Sequence, residues 1–257
     1  MSAVLRNSSA PMPSGVSYAS GGRDVKILGV VPARGGSKRV PRKNIRIVHG
    51  RPLLEYTLDA AAASRRLASV VVSTEDGEIA DVAQRLGFAV LARPAALATD
   101  EARGVEPALH AIETFPEYSH VVLLQPTSPL RRAEDIDGAI DTCVRLAAPA
   151  CVSVCPAEQS PFWMYWVDER NRLKPVLADD SMRAHRSQDL PTAYALNGAV
   201  YVARCDWLRT ARTFVTPETV PYFMRSAESL DVDTEEDLLR LEEVLGERGR
   251  RGPSAPA

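Results

Sequence analysis

The chain has 257 residues, of which 45% are hydrophobic, 25% charged and 6% aromatic, a composition that excludes the disordered, collagenous and membrane-embedded classes. A chain of this length buries roughly three quarters of its unfolded surface in one α/β domain without disulfide staples. With 31 Lys+Arg against 33 Asp+Glu the net charge is -2, so neither nucleic acid nor a membrane is expected as a partner, and any anion site has to be local.

Residues 1–24 are rich in Ser, Gly, Ala and Pro and lack a continuous apolar stretch, the pattern of a disordered leader rather than an export signal. Residues 26–33 (KILGVVPA) form a short apolar run bounded by polar residues, as in a buried parallel strand. A basic loop follows. Pro52 then opens a helix over 53–66, where Leu54, Leu58 and Ala61 recur at helical spacing. The rhythm continues with a strand at 69–74, a helix at 78–86 stopped by Gly87, a strand at 88–91, a helix at 106–114, a strand at 120–125, a helix at 133–147 and a strand at 150–155. Strands alternating with helix-length segments predict a Rossmann-like, mostly parallel α/β sheet with helices on both faces.

After Pro156 the rhythm breaks. Residues 163–167 and 173–176 read as a hairpin within an inserted arm over 156–185. A strand returns at 198–203, and Thr234 with Asp237 is placed to cap a last helix over 234–245. Residues 25–246 are thus expected to form the working domain, and 247–257 a frayed tail. The four cysteines, Cys143, Cys151, Cys155 and Cys205, form no CxxC pair and are expected to be buried thiols in a reducing cytoplasm.

Residues 34–51 (RGGSKRVPRKNIRIVHGR) hold seven Lys/Arg and no Asp or Glu. This cluster follows the first strand, at the carboxyl edge where open α/β sheets bind ligands. Gly35 and Gly36 let backbone amides approach a phosphate, and Arg34, Lys38 and Lys43 supply charge. Neither GxxxxGK[ST] nor GxGxxG occurs in this segment, which weighs against ATPase and dinucleotide readings. By itself the segment suits a polyphosphate cradle, a solvated loop or an RNA patch, and the absence of interleaved aromatics counts against RNA. Asp231 and Asp233, two apart in an extended run, suit either a shared hard cation or a turn and helix cap.

Six segments in one order, ARGGSKRVPRKN (33–44), SVVVSTED (69–76), RPAALATD (93–100), LLQPTSPLR (123–131), NGAVY (197–201) and LDVDT (230–234), resemble the acylneuraminate cytidylyltransferases, or CMP-sialic acid synthetases. The resemblance covers about residues 25–245. It implies a homodimer that joins CTP to a nine-carbon 2-keto sugar acid of the N-acetylneuraminate, legionaminate or pseudaminate type, with Mg²⁺, releasing pyrophosphate.

Carried over by position, the resemblance implies that Arg34, Ser37, Lys38, Lys43, Asn44 and Arg93 bind nucleotide. Arg34, Lys43 and Asp231 are the implied catalytic residues, with Lys43 on the departing phosphates. Asp231 and Asp233 become the implied metal ligands. Gln125, Arg186, Asn197 and Tyr201 fall on the sugar side, and Phe214 aligns with an aromatic wall for the acyl group. Ala195 and Leu196 stand where several sialic acid enzymes have arginine and proline, and Trp163 where those enzymes can carry lysine. These departures suit a deoxygenated, diacylamino acid at least as well as N-acetylneuraminate. Two rivals remain: a 3-deoxy-manno-octulosonate-type cytidylyltransferase, whose opening loop reads differently, and a noncatalytic nucleotide- or RNA-binding module.

Overall fold

The computed structural model describes residues 19–20, 23–99, 103–177 and 186–251. Seven strands make one sheet: β1 (Ile27–Pro32), β2 (Ser69–Thr74), β3 (Ala89–Ala92), β4 (His120–Leu123), β5 (Ala150–Pro156), β6 (Tyr194–Arg204) and β7 (Val220–Phe223), in the order β7-β5-β6-β4-β1-β2-β3. Five of these strands lie where the apolar runs predict them. β1 pairs in parallel with β2 and β4, β2 with β3, and β7 with β5. β6 runs antiparallel between β4 and β5, so the sheet is mostly parallel, as expected, with one reversed strand near its middle.

Alternation along each strand divides the core. Ile27 and Val31 of β1 face one layer and Leu28 and Val30 the other. The first layer receives Leu54 and Leu58 of α1 (Leu53–Ala63), Ile79 and Val82 of α2 (Gly77–Arg85), and Ile136 and Ile140 of α4 (Ala133–Arg145). The second receives Leu109 and Ile112 of α3 (Glu106–Thr114) and Leu208 of α5 (Cys205–Ala211). Helices therefore cover both faces, which is why the strands read as near-continuous apolar runs.

A third cluster joins distant parts of the chain. Val40 and Val48 of the basic segment, Leu130, and Val232 of the acidic segment pack with Leu238 and Leu241 of α6 (Glu235–Arg251). This small core brings the two charged segments together across about 190 residues of sequence.

Several expectations need correction. β4 ends at Leu123, two residues early, because Pro126 has no amide for the ladder and the Gln125 carbonyl is taken by side chains instead. β6 begins at Tyr194, four residues early, because its first residues pair with the end of β5. β7 and α5 carried too weak a pattern to be read. α6 runs to Arg251 rather than fraying from 247; the Arg248 guanidinium donates to the Ala227 carbonyl at 3.1 Å and anchors it. Within the expected leader, Ala19–Ser20 and Arg23–Asp24 pair as a short hairpin; its other residues, 178–185 of the inserted arm, Asp100 and 252–257 lie outside the described residues. The arm does form a hairpin, Tyr165–Val167 against Leu173–Pro175.

Candidate active site

The basic loop leaves β1 at Pro32, and its shape is set by its neighbours. The Gly35 amide donates to Glu75 Oε1 at 2.8 Å. A Cβ on Gly35 would lie 2.3 Å from Asp76 Oδ2, so the loop approaches α2 as only glycine allows. Asp76 caps α2 by accepting from the Ile79 amide at 3.0 Å and takes both Arg42 nitrogens at 2.6 and 3.2 Å. The Arg42 hydrogen bond is the main cause holding the Asp76 carboxyl below the usual carboxylate range. The buried Asn44 donates to the Arg34 carbonyl at 2.9 Å, folding the loop back on itself.

The loop opens onto a cavity of about 560 Å³ at the carboxyl edges of β1 and β4, lined by Arg34, Ser37, Lys38, Lys43, Asn44, Arg93, Gln125, Asp231 and Asp233 among others. Nine of the residues singled out from the sequence thus share one cleft, and Lys43 and Asp231 lie on the same side of the molecule. Arg39 and Arg103 also line it. Arg39 belongs to the cationic run and was legible there; Arg103 carried no signal.

Lys43 Nζ donates to Asp233 Oδ1 and to the Val232 carbonyl, both at 2.8 Å, and Arg39 reaches Asp233 Oδ2 at 3.3 Å. Both oxygens of Asp233 therefore face cations. Asp231 opens to the cavity. Partial removal from water pushes its carboxyl above the ordinary range and Asp233 adds to the rise, while a hydrogen bond from Thr127 and the charge of Lys43 oppose it. Neither aspartate is the cap of α6. That role belongs to Thr234 and Asp237: Asp237 Oδ2 accepts from the Asp233 and Thr234 amides at 2.9 and 2.8 Å, and Thr234 Oγ1 accepts from the Asp237 amide at 3.2 Å. The helix cap is satisfied elsewhere, which leaves Asp231 and Asp233 for the cleft.

Arg93 follows β3, is buried, and spans Ser73: its Nε donates to Ser73 Oγ at 3.2 Å and its guanidinium donates to the Ser73 carbonyl. Burial lowers its pKa from the usual arginine value, and the nearby Arg34 acts in the same direction. The Glu75 carboxylate opposes this fall, so the two cations already sit beside one anion.

The sugar-side residues divide. Gln125 lines the cavity. Tyr201 is half-buried; burial raises its phenol and the Asp231 carboxylate adds to the rise, which places it near the acidic residues without lining the cavity. Phe214 is buried against Tyr201, ring centroids 5.5 Å apart, and belongs to the core. Arg186 is exposed and outside the cavity lining. Asn197 makes no surface of the cleft: its Oδ1 accepts from Ser153 Oγ at 2.6 Å and its Nδ2 donates to Ser229 Oγ at 2.9 Å. It is held in an interior network instead. Gly198 has φ 73°, where other residues are strained, and a Cβ there would stand 3.3 Å from Gln125 Oε1. Trp163 and Leu196 are exposed and do not line the cavity.

Comparison with known proteins agrees with this geometry. A family model described as Cytidylyltransferase matches residues 28–160. The chain is 35% identical over 228 residues to the CMP-N,N'-diacetyllegionaminic acid synthase of Legionella pneumophila, covering 86% of this chain and 97% of that protein. It is 30% identical over 220 residues to an N-acylneuraminate cytidylyltransferase of Streptococcus agalactiae, covering 84% of this chain but 52% of that longer protein. Among solved structures, a CMP:2-keto-3-deoxy-manno-octonic acid synthetase complexed with CTP superposes with a TM-score of 0.67 at 18% identity, over 86% of this chain and 99% of that one, which shows a shared fold. A cationic cleft backed by two aspartates, on this sheet and with these relatives, has one conclusion: the chain belongs to the cytidylyltransferase family.

Proposed function

We propose that the protein transfers the CMP group of CTP to the anomeric 2-hydroxyl of a nonulosonic acid, releasing pyrophosphate. The observation that carries this reading is the convergence of Arg34, Lys38, Lys43 and Arg93 with Gln125, Asp231 and Asp233 on one 560 Å³ cavity. In the reaction the 2-hydroxyl oxygen gives up its proton to Asp231 or to solvent and bonds the α-phosphorus, the bond from that phosphorus to the bridging oxygen breaks, and pyrophosphate carries the electron pair away. Cations aimed at the leaving phosphates and a fixed acceptor supply most of what such a transfer needs. Arg34, Lys38 and Lys43 are placed for the triphosphate and Gln125 for the acid.

Among the described residues no cluster of three or more His, Cys, Asp or Glu forms a metal cage. Two carboxylates beside a polyphosphate are the donor set Mg²⁺ takes when phosphates and water complete its shell, and Asp231 and Asp233 fit it. Mg²⁺ held there would neutralise triphosphate charge and acidify the acceptor hydroxyl. Turnover of Asp231→Asn across Mg²⁺ concentrations separates holding the cation from taking the proton, because raised Mg²⁺ restores the rate only in the first case.

The acceptor we infer is of the legionaminate type, with N-acetylneuraminate and pseudaminate as the alternatives to be tested. Tyr194 and Phe223 meet edge to face, centroids 4.8 Å apart, and stand exposed with Leu196. Because β6 is antiparallel, its first residues pair with the end of β5, and this apolar shelf lies at the same edge of the sheet as the cavity. It favours methyl and acyl groups over hydroxyls. The exposed arm residues Trp166, Val167 and Leu173 suit a homodimer interface. No helix among the described residues is long and apolar enough to cross a membrane, and four free thiols suit a reducing cytoplasm.

Pyrophosphate release from CTP and Mg²⁺, measured with N,N'-diacetyllegionaminate, pseudaminate, N-acetylneuraminate and 3-deoxy-manno-octulosonate in turn, tests the reading. Fast release with a nine-carbon acid is expected. Preference for the eight-carbon acid, or release with none, defeats it.

A further inference from the structure

Arg131 ends the LLQPTSPLR segment and is 3% exposed, yet it lines no part of the cavity. Its Nη1 donates to the Ala199 carbonyl at 2.7 Å and to the Gln125 carbonyl at 3.1 Å, and its Nη2 donates to Thr57 Oγ1 at 2.7 Å. Thr57, fully buried on α1, donates in turn to the Gln125 carbonyl at 3.4 Å. One guanidinium thus gathers the end of β4, the middle of β6 and the face of α1. Arg131 Nε is buried and has no partner among the described residues.

A buried cation is expensive to keep, and a hydrophobic side chain of similar volume is often the more stable choice. Burial pushes this guanidinium down to about 9, with only Asp135 acting to raise it, so it remains charged at neutral pH at a cost to stability. What arginine offers for that cost is a planar fork that meets several acceptors at once, which a lysine ammonium does not reproduce.

The acceptors it meets frame the sugar side. Ala199 directly follows Gly198, whose φ of 73° forms the irregularity in β6 between Leu196 and Tyr201. The Gln125 side chain lies over Gly198 at a distance that leaves no slack for a Cβ. From the other side Asn197 Oδ1 accepts from the Ala199 amide at 3.2 Å, so the bulge is gripped at both ends. The spacing between Gln125 and the bulge is therefore set by Arg131.

We propose that Arg131 is a positioning residue for the acceptor: it fixes the Gln125 main chain against the Gly198 bulge, so that the Gln125 amide meets the sugar acid in a single orientation. This rests on the reading of the cleft given above. The nucleotide side is held by other groups, Asn44, Asp76 and Ser73, so the effect of losing Arg131 is confined to the acceptor.

The test uses the full chain with CTP, Mg²⁺ and the acid that the wild type turns over best. In Arg131→Lys the KM for the acid rises about tenfold or more, the scale of a misplaced contact, while CTP affinity, read by titration calorimetry, stays within about twofold of wild type. Thr57→Val keeps the volume but removes the hydroxyl; it raises the same KM in the same direction, and the double variant is no worse than Arg131→Lys alone, because both act through the Gln125 carbonyl. Should Arg131→Lys fail to fold, Thr57→Val carries the test. An unchanged acceptor KM in the folded variants, or an equal loss of CTP affinity, overturns the proposal while wild-type turnover leaves the cleft reading intact. Absence of turnover by the wild type with every acid overturns both.

Discussion

Lys43 and Asp233 answer each other at 2.8 Å, and each has a further task in the proposed reaction, one toward the leaving phosphates and one toward the cation. Lys43→Ala and Asp233→Asn are each expected to lower kcat by at least about two orders of magnitude, the scale of removing a preorganised electrostatic contact. Steady-state pyrophosphate release checks this, and near-normal turnover of either variant removes the assigned role. Asp76 carries a different kind of expectation. Its folded pKa is lowered, chiefly by Arg42, so the pair adds stability that is present above the unfolded carboxyl value of about 3.9 and is lost as pH falls through the lowered folded value. Asp76→Asn keeps an acceptor for the α2 cap but loses the charge pairing. With Arg42 partly exposed and screened by solvent, it should cost about 1 kcal/mol at pH 7. Thermal melts across pH should show the gap to wild type closing in acid; a gap independent of pH would show that the ion pair is not its cause.

α6 is the element that joins sequence-distant halves of the cleft. Leu241 is fully buried among Val40, Val48, Leu130 and Val232, so it supports both the basic loop and the acidic segment. Leu241→Ala should destabilise the fold by about 2–5 kcal/mol, the usual range for a core leucine truncated to alanine. It should also weaken CTP binding at temperatures where the chain is still folded, since the aspartates lose their backing. Denaturant unfolding with parallel CTP titration checks both effects, and full CTP affinity in the destabilised variant would show that the cleft does not lean on this helix. The reversed strand β6 is the other element that bears on the proposed acceptor, because its direction puts the apolar residues Tyr194 and Leu196 at the same edge of the sheet as the cavity.

For the whole molecule, the exposed apolar arm decides the expected assembly. Trp166, Val167 and Leu173 are each more than 60% exposed, an unusual concentration on one small hairpin for a monomer in water. A chain carrying Trp166→Glu and Leu173→Glu is expected to elute as a monomer in size-exclusion chromatography with light scattering, while the wild type elutes as a dimer. A wild-type monomer would remove the arm's role. The interior sets a second expectation at this scale. Burial raises the thiols of Cys143 and Cys205 to about 11 and that of Cys151 to about 12. Alkylation of the native chain at pH 8 should therefore leave these three thiols unmodified, since the thiolate is the reactive form; their rapid labelling would show that the sheet opens readily.

The sequence by itself determined what depends on neighbours along the chain. Apolar runs placed β1, β2 and β5, helical spacing placed α1, and the clustered cations marked one wall of the cavity before any contact was known, because periodicity and local charge are properties of short segments. Only the tertiary structure decided what depends on neighbours in space. It reversed β6 within the sheet, gave Asn197 to an interior network and Phe214 to the core. It set Lys43 and Arg39 against Asp233 from about 190 residues away in sequence. It also set the buried Arg131 between three elements. These outcomes share one physical reason: a side chain's role is set by the neighbours that pack against it or satisfy its polar atoms, and here some of those neighbours come from segments far away in sequence.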